Sequence, residues 1–163
     1  MTQILDTNEL MFNNFEPKQP QRFVMYIGGI PTAIIRKTDR PKMTSSVVTV
    51  GHINVEKYYK GKSKWEPITV EILDYIVPSG MQLAMEWARL GHESATGRDG
   101  YWDMYAKDVT IKLIGPPGDV VEEWTLKGAW QETISPDGLD WQSDGEALKI
   151  PMTVRYNYAL LQF

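Results

Sequence analysis

Apolar and polar positions along this chain mostly alternate with the two-residue period of strands, and one stretch departs to the helical period. The segment RFVMYI (22–27) predicts a short strand, and Gly28-Gly29 a hairpin turn leading into IPTAIIRKT. After a break at DRPKMTSS, the β-branched run SVVTVGHINVEKY predicts an extended segment with nothing recurring at helical spacing. In EPITVEILDY (66–75), Ile68, Val70 and Ile72 alternate with Thr69, Glu71 and Leu73, as in a half-buried strand. KDVTIKLIG, a PPGD turn at 116–119 and VVEEWTLKGAWQETI continue the β pattern. On the last of these, Trp124, Leu126, Gly128 and Trp130 share one face, and Glu123, Thr125, Lys127 and Ala129 the other. LKIPMTVRYNYAL predicts a closing strand with Leu148, Ile150, Met152, Val154, Tyr156 and Tyr158 on one side.

The helical departure is PSGMQLAMEWARLGHE. Ser79 and Gln82 form a Ser-x-x-Gln capping box, and Leu83, Met85, Trp87 and Leu90 with Ala84 and Ala88 give a wide apolar surface. Gly91 is placed as the stop, so the helix spans about 79–91. Residues 91–105 read as a loop, 39–65 as a long loop or hairpin, and the polar stretch 1–20 as an N-terminal arm. The expected fold is mainly β with one α-helix: an antiparallel sandwich or barrel of about seven strands, with the helix packed on its side.

Composition changes this picture little. A chain of 163 residues predicts a single domain, 1–163, with one core. The net charge of −4 argues against a dedicated nucleic-acid binder, which would carry a basic footprint. The absence of cysteine excludes disulfides, thiolate metal sites and cysteine nucleophiles. MTQILDTNELMFNNF shows neither a basic n-region nor an apolar h-region, and no apolar run approaches the roughly 18–20 residues that span a bilayer, so folding in the cytosol without a membrane is expected.

The stretch GAWQETISPDGLDWQSDGE (128–146) is the most suggestive of chemistry, with Asp137, Asp140, Asp144 and Glu146 close together. With Asp140 as the first position of a calcium loop, Gln142, Asp144 and Gly145 fall correctly, but the bidentate glutamate position is Pro151 and no helices flank it. A glycosidase-like carboxylate pair has no spacing rule in sequence. Ser135-Pro136-Asp137-Gly138 and Ser143-Asp144-Gly145 read better as turns, with Trp130 and Trp141 as packing residues beside them. His52 and His92 each stand alone, and no nucleophile elbow, HExxH helix or phosphate loop is present. No catalytic residue, metal ligand or cofactor is therefore assigned. KYYKGKSKW (57–65) interleaves lysines with aromatics; it reads as a solvated hairpin tip bending at Gly61, a protein–protein contact, or a stacking surface for single-stranded nucleic acid.

The C-terminal third carries a resemblance. LKGAWQETISPDGLDWQSDGEALKIPMTVRYNY resembles the closing segment of the tail tube proteins of contractile-tailed bacteriophages: a Leu-x-Gly-x-Trp strand, a Leu-x-Trp-Gln-Ser turn and a final alternating strand. RFVMYIGG, KSKWEPITVEILDY and MQLAMEWARL are similar to that family's first strand, its Trp-containing strand and its helix, so about 20–160 are covered. Gln131 departs from the proline that often follows the Trp there, and the arm 1–20 matches poorly.

The resemblance implies hexameric rings stacked into a hollow tube inside a contractile sheath, with a subunit similar to the haemolysin-coregulated protein of type VI secretion. It implies a non-enzymatic virion protein of the phage tail, assembled in the host bacterial cytoplasm. Its partners would be further copies of itself, the sheath, the tape-measure protein, and the baseplate and tail terminator proteins, with double-stranded DNA passing the lumen without specific binding. Strand pairs 30–38 with 46–57 and 106–114 with 120–131 would form the inner wall, with Arg36, Thr110, Lys112, Glu123, Thr125 and Lys127 as lumen-facing candidates. Ring-to-ring contacts would come from the arm 1–20 and from Lys57, Tyr58, Tyr59, Lys60, Lys62 and Lys64. Other readings are the tube of a type VI-like or phage-derived injection system, a monomeric β-barrel holding a small molecule in an apolar cavity, and, last, a small carboxylate-dependent hydrolase.

Overall fold

The computed structural model describes Met11 and residues 15–163. Its elements are β1 (Phe23–Ile27), β2 (Ile35–Thr38), β3 (Lys42–His52), β4 (Val55–Glu66), β5 (Ile68–Leu73), α1 (Gly80–Gly91), the single turn α2 (Trp102–Tyr105), β6 (Lys107–Ile114), β7 (Val120–Ile134), β8 (Lys149–Arg155) and β9 (Tyr158–Leu161). Seven strands form one antiparallel sheet in the order β1-β6-β7-β8-β5-β2, with β9 also pairing β7; β3 and β4 form a separate two-stranded sheet.

The fifteen-residue β7 organises the body, because its first half pairs β6 and β9 and its second half pairs β8. Its bend lies at Gly128, whose φ of +65° is open to glycine and costly for other residues. A Cβ there would lie 2.7 Å from the Trp102 ring, so packing as well as conformation excludes a side chain. The bend folds the sheet over one core, in which Met25, Ile111 and Leu126 from one half meet Ile72, Ile150 and Met152 from the other. Helix α1 seals the side with Ala84 and Trp87, and the Trp87 indole donates to the Tyr105 carbonyl at 2.8 Å. Ser79 caps α1 as expected, accepting from the Gln82 amide, and Asp74 Oδ1 accepts from the Met81 amide at 3.2 Å. That second cap was not visible in the sequence, because Asp74 lies on the preceding connection.

Several sequence expectations are corrected. The closing strand is two strands: the chain leaves β8 after Arg155 and returns to pair Tyr158–Leu161 with β7, so Tyr158 is exposed while Ala159 is buried. The Gly28-Gly29 turn forms, with the Ile30 amide bonded to the Ile27 carbonyl at 3.1 Å, yet its flanking strands do not pair. β1 pairs β6, and β2 crosses to β5 through a short 3-10 turn, so 30–38 has no partner in 46–57. The run 46–57 instead folds back on itself at Ile53-Asn54. In β7 the alternation fails after Gly128, so Ala129 is buried rather than on the polar face.

Candidate assembly surfaces

The β3–β4 hairpin has almost no core of its own. Eight of its large apolar side chains, Met43, Val47, Val48, Val50, Ile53, Val55, Tyr58 and Tyr59, are at least half exposed. With eleven residues in β3, it reaches about 36 Å. At its base Trp65 packs on Tyr156 with ring centroids 6.1 Å apart, and Lys42 pairs with Glu66 at 3.2 Å. Beyond that base, among the described residues, both faces and both edges stand free, a state in which a two-stranded ribbon is marginal by itself.

Register divides the lysines and aromatics between the two faces. Val48 opposes Tyr59, Val50 opposes Lys57, Thr44 opposes Lys64 and His52 opposes Val55 on one face; Val47 with Lys60, Thr49 with Tyr58 and Met43 with Trp65 lie on the other. The faces are brought into this phase by a bulge between Ser45 and Val47, opposite Gly61 and Lys62. Gly61 is therefore a bulge residue within β4 and not the tip, and a Cβ on it would collide with the Ser46 hydroxyl. The true tip holds Ile53 at φ +55°, with its side chain 90% exposed. A β-branched residue is strained in that conformation, and no packing among the described residues offsets the strain.

A second surface is the outward face of β6, β7 and β1. Cross-strand register sets Thr110 against Thr125, Lys112 against Glu123 and Tyr26 against Thr110. Lys112 lies 3.4 Å from Glu123 and 5.6 Å from the centre of the Tyr26 ring. Lys127 bonds Asp108 at 2.5 Å; that bond holds the Asp108 carboxyl below its ordinary range and raises the Lys127 ammonium. Five of the six lumen-facing candidates, Thr110, Lys112, Glu123, Thr125 and Lys127, thus share one patch whose charges compensate one another. Arg36 lies apart on β2, where a guanidinium nitrogen donates to the Tyr75 hydroxyl at 2.9 Å.

The third surface is the loop between β7 and β8. Asp137 closes it by accepting from the Lys149 amide at 3.1 Å, and Asp140 Oδ1 accepts from the Gln142 amide at 3.0 Å in an Asx turn. The turns read at Ser135–Gly138 and Ser143–Gly145 are not where the chain turns: Asp137 bonds across the loop to Lys149, and the turn formed runs from Asp140 to Ser143. Nor does Trp141 take the packing role expected of it: its side chain is fully exposed at 104%, and Leu139 is 87% exposed. Trp130 does pack, edge-on against Tyr105 at 6.3 Å. Among the described residues no three His, Asp or Glu side chains gather as a metal site, and His92 pairs only with Asp99 at 2.6 Å. Among the described residues no helix is long and apolar enough to cross a membrane.

Glu122 was missed by sequence reasoning, which placed no role on it. It is the buried charge among the described residues, at 6% exposure, facing the core from β7. Burial alone would raise its carboxyl, but bonds from Lys18 and from the Trp124 indole, at 2.6 Å for the latter, hold it below the usual range. Arg40 adds a longer contact at 3.8 Å. One carboxylate thereby ties the segment before β1 and the approach to the hairpin to the same point of the sheet. Alternation could have flagged a glutamate on the core side of β7, but nothing in the sequence names its partners. A groove of about 560 Å³ lies between α1, the segment after it and the second half of β7, lined by Trp87, Tyr105, Trp130 and Ile134 with His92 and Asp99 at one side.

No protein-family model matches the chain, and none of the curated proteins does. Solved structures do. The cap that terminates the tube of the anti-feeding prophage matches at TM-score 0.74 and 14% identity, over 97% of this chain and 99% of that one. A chain of the sheath–tube complex of the PVC extracellular contractile injection system matches at 0.70 and 15% identity, over 98% and 99%. Hcp1 of Flavobacterium johnsoniae matches at 0.53 and 12% identity, over 86% and 94%. The fold is therefore the one shared by tube and cap proteins of contractile injection systems and by Hcp1, and the resemblance read from the sequence is borne out at the level of fold.

Proposed function

We propose that the protein is a structural tube subunit of a contractile tail, forming hexameric rings that stack into a hollow conduit within a sheath. The observation that carries this reading is the hairpin, some 36 Å of strand whose apolar faces are left exposed among the described residues. A subunit that closes into rings and stacks buries such faces and removes the free edges of its sheets. The β6–β7 patch supplies the lumen wall, and its compensated pairs Lys112–Glu123 and Lys127–Asp108 leave little net attraction for a passing phosphate backbone. Arg36 is a lumen candidate on a separate strand. The hairpin residues Lys57, Tyr58, Tyr59, Lys60, Lys62 and Lys64 serve ring-to-ring contact. The arm 1–20 is proposed for the same contact, although residues 1–10 and 12–14 lie outside the described residues.

In a phage tail the conduit would carry double-stranded DNA and enclose a tape-measure protein, with baseplate and terminator proteins at its ends, assembled in the host cytoplasm. The anti-feeding prophage and PVC likenesses favour a second reading, the tube of an extracellular injection system, whose lumen would pass proteins. Size-exclusion chromatography with negative-stain microscopy of the purified chain tests the shared core of both. Rings or tubes with a central hole are expected, and a persistent monomer at high concentration would sink both. Sheath and tape-measure genes beside this one separate the phage reading from an injection cluster.

A further inference from the structure

We propose that the lysine-rich face of the β3–β4 hairpin docks on the acidic 135–148 loop of a second copy of this chain, so that copies stack head to tail. The inference rests on the tube reading and adds which two surfaces meet. Topology puts them at opposite poles of one sheet. The hairpin joins β5 at Ile68, while the far end of β5, Leu73, pairs with Lys149 at the exit of the loop. The Asp74 amide also bonds the Leu148 carbonyl at 2.9 Å, fixing the loop to that pole. Six residues of strand, about 20 Å, separate the two surfaces. Contact within one chain would require the hairpin to lie back along the sheet, which its exposed side chains exclude.

Charge is segregated in the same sense. From Lys42 to Glu66 inclusive stand five lysines and two glutamates, in a chain of net charge −4; residues 128–148 hold five carboxylates and no lysine or arginine. Among the described residues Lys57, Lys62 and Lys64 form no ion pair, and neither do the four carboxylates of the loop. Apolar groups are matched as well. Trp141 and Leu139 stand free amid the acids, and Val48, Val50 and Tyr59 amid the lysines. An aromatic anchor ringed by complementary charge is how interfaces gain both strength and direction. Because the two surfaces differ and lie at opposite poles, the contact repeats along an axis and does not close into a two-fold pair.

Carbodiimide coupling of an equal mixture of nitrogen-14 and nitrogen-15 full-length protein joins lysines to carboxylates in contact. The expected mixed-isotope peptides link Lys57, Lys62 or Lys64 to Asp140, Asp144 or Glu146. Lys62→Glu with Lys64→Glu should lower sedimenting polymer by about tenfold or more, as should Asp140→Lys with Asp144→Lys, while combining all four restores it. Rings that stack undiminished in both reversed variants, or mixed-isotope links from these lysines only to other carboxylates, would overturn the docking and leave the tube reading intact. Polymer whose loop carboxylates stay uncoupled would give the loop to another partner, such as an enclosing sheath, and overturn the docking too. Absence of any mixed-isotope link together with absence of any particle larger than a monomer would overturn both.

Discussion

The body sheet and the β3–β4 hairpin are written in the same alphabet and have opposite fates. Ile68, Val70 and Ile72 in β5 are at most 1% exposed, whereas Val48 and Val50 in β3 are about half exposed. Both segments are β-branched, alternating and antiparallel, and both lie next to each other in the chain. What differs is the neighbour: β5 has β8 and β2 on its edges and the core beneath, while among the described residues each hairpin strand pairs only with the other. Strand pattern therefore specifies backbone state, and burial is settled by whatever the topology, or another copy, brings alongside.

The comparison is broken most sharply by truncating each region. Ile72→Ala should cost the isolated chain about 2–5 kcal/mol in urea unfolding, because it opens a cavity. Val50→Ser should change that value by less than about 0.5 kcal/mol and act instead on assembly. A smaller effect is expected at the joint between the regions. Glu122→Gln removes the acceptor charge for Lys18 and Arg40, at a cost of about 1–3 kcal/mol. Glu122 has a folded pKa below the ordinary value of 4.5, so its contribution is present above 4.5 and lost as pH falls through the folded value. The wild-type unfolding midpoint should thus fall more steeply than that of Glu122→Gln as the solution is acidified below pH 4.5.

Ile53→Gly should move in the opposite direction in the monomer. Relief of the left-handed backbone stabilises the hairpin by about 1 kcal/mol, read by thermal unfolding in dilute solution, while loss of the exposed side chain weakens assembly. The smallest effect belongs to the lumen patch. A double-mutant cycle on Lys112 and Glu123 should return a coupling of no more than about 1 kcal/mol, because the pair is partly solvated.

Much of the body was legible because it follows local rules. The cap at Ser79, the strand Ile68–Leu73 and the β6–β7 hairpin all follow from period and turn chemistry. The failures have specific causes. Gly61 reads as a tip because glycine marks bends, but it makes room for Ser46 at a bulge, and the turn falls on Ile53 despite its strain. Trp141 reads as a packing residue because tryptophan usually is one, and its exposure is set by the fold of the loop, which no local pattern encodes. Five of the six lumen candidates fall on one face because β6–β7 pairing is local; Arg36 does not, because the β2 partner is set by a crossover to β5. Glu122 and its partners come from segments some eighty to a hundred residues apart, and no local pattern joins them.

Hydrogen exchange of the hairpin amides tests most directly whether this ribbon is finished only by another copy. Amides of Val47–Tyr59 should exchange close to unprotected rates in dilute monomer, while those of β5 and β8 stay protected, and should slow by at least about a hundredfold in assembled rings or tubes. Hairpin protection in the monomer equal to that of β5, with no change on assembly, would contradict the account.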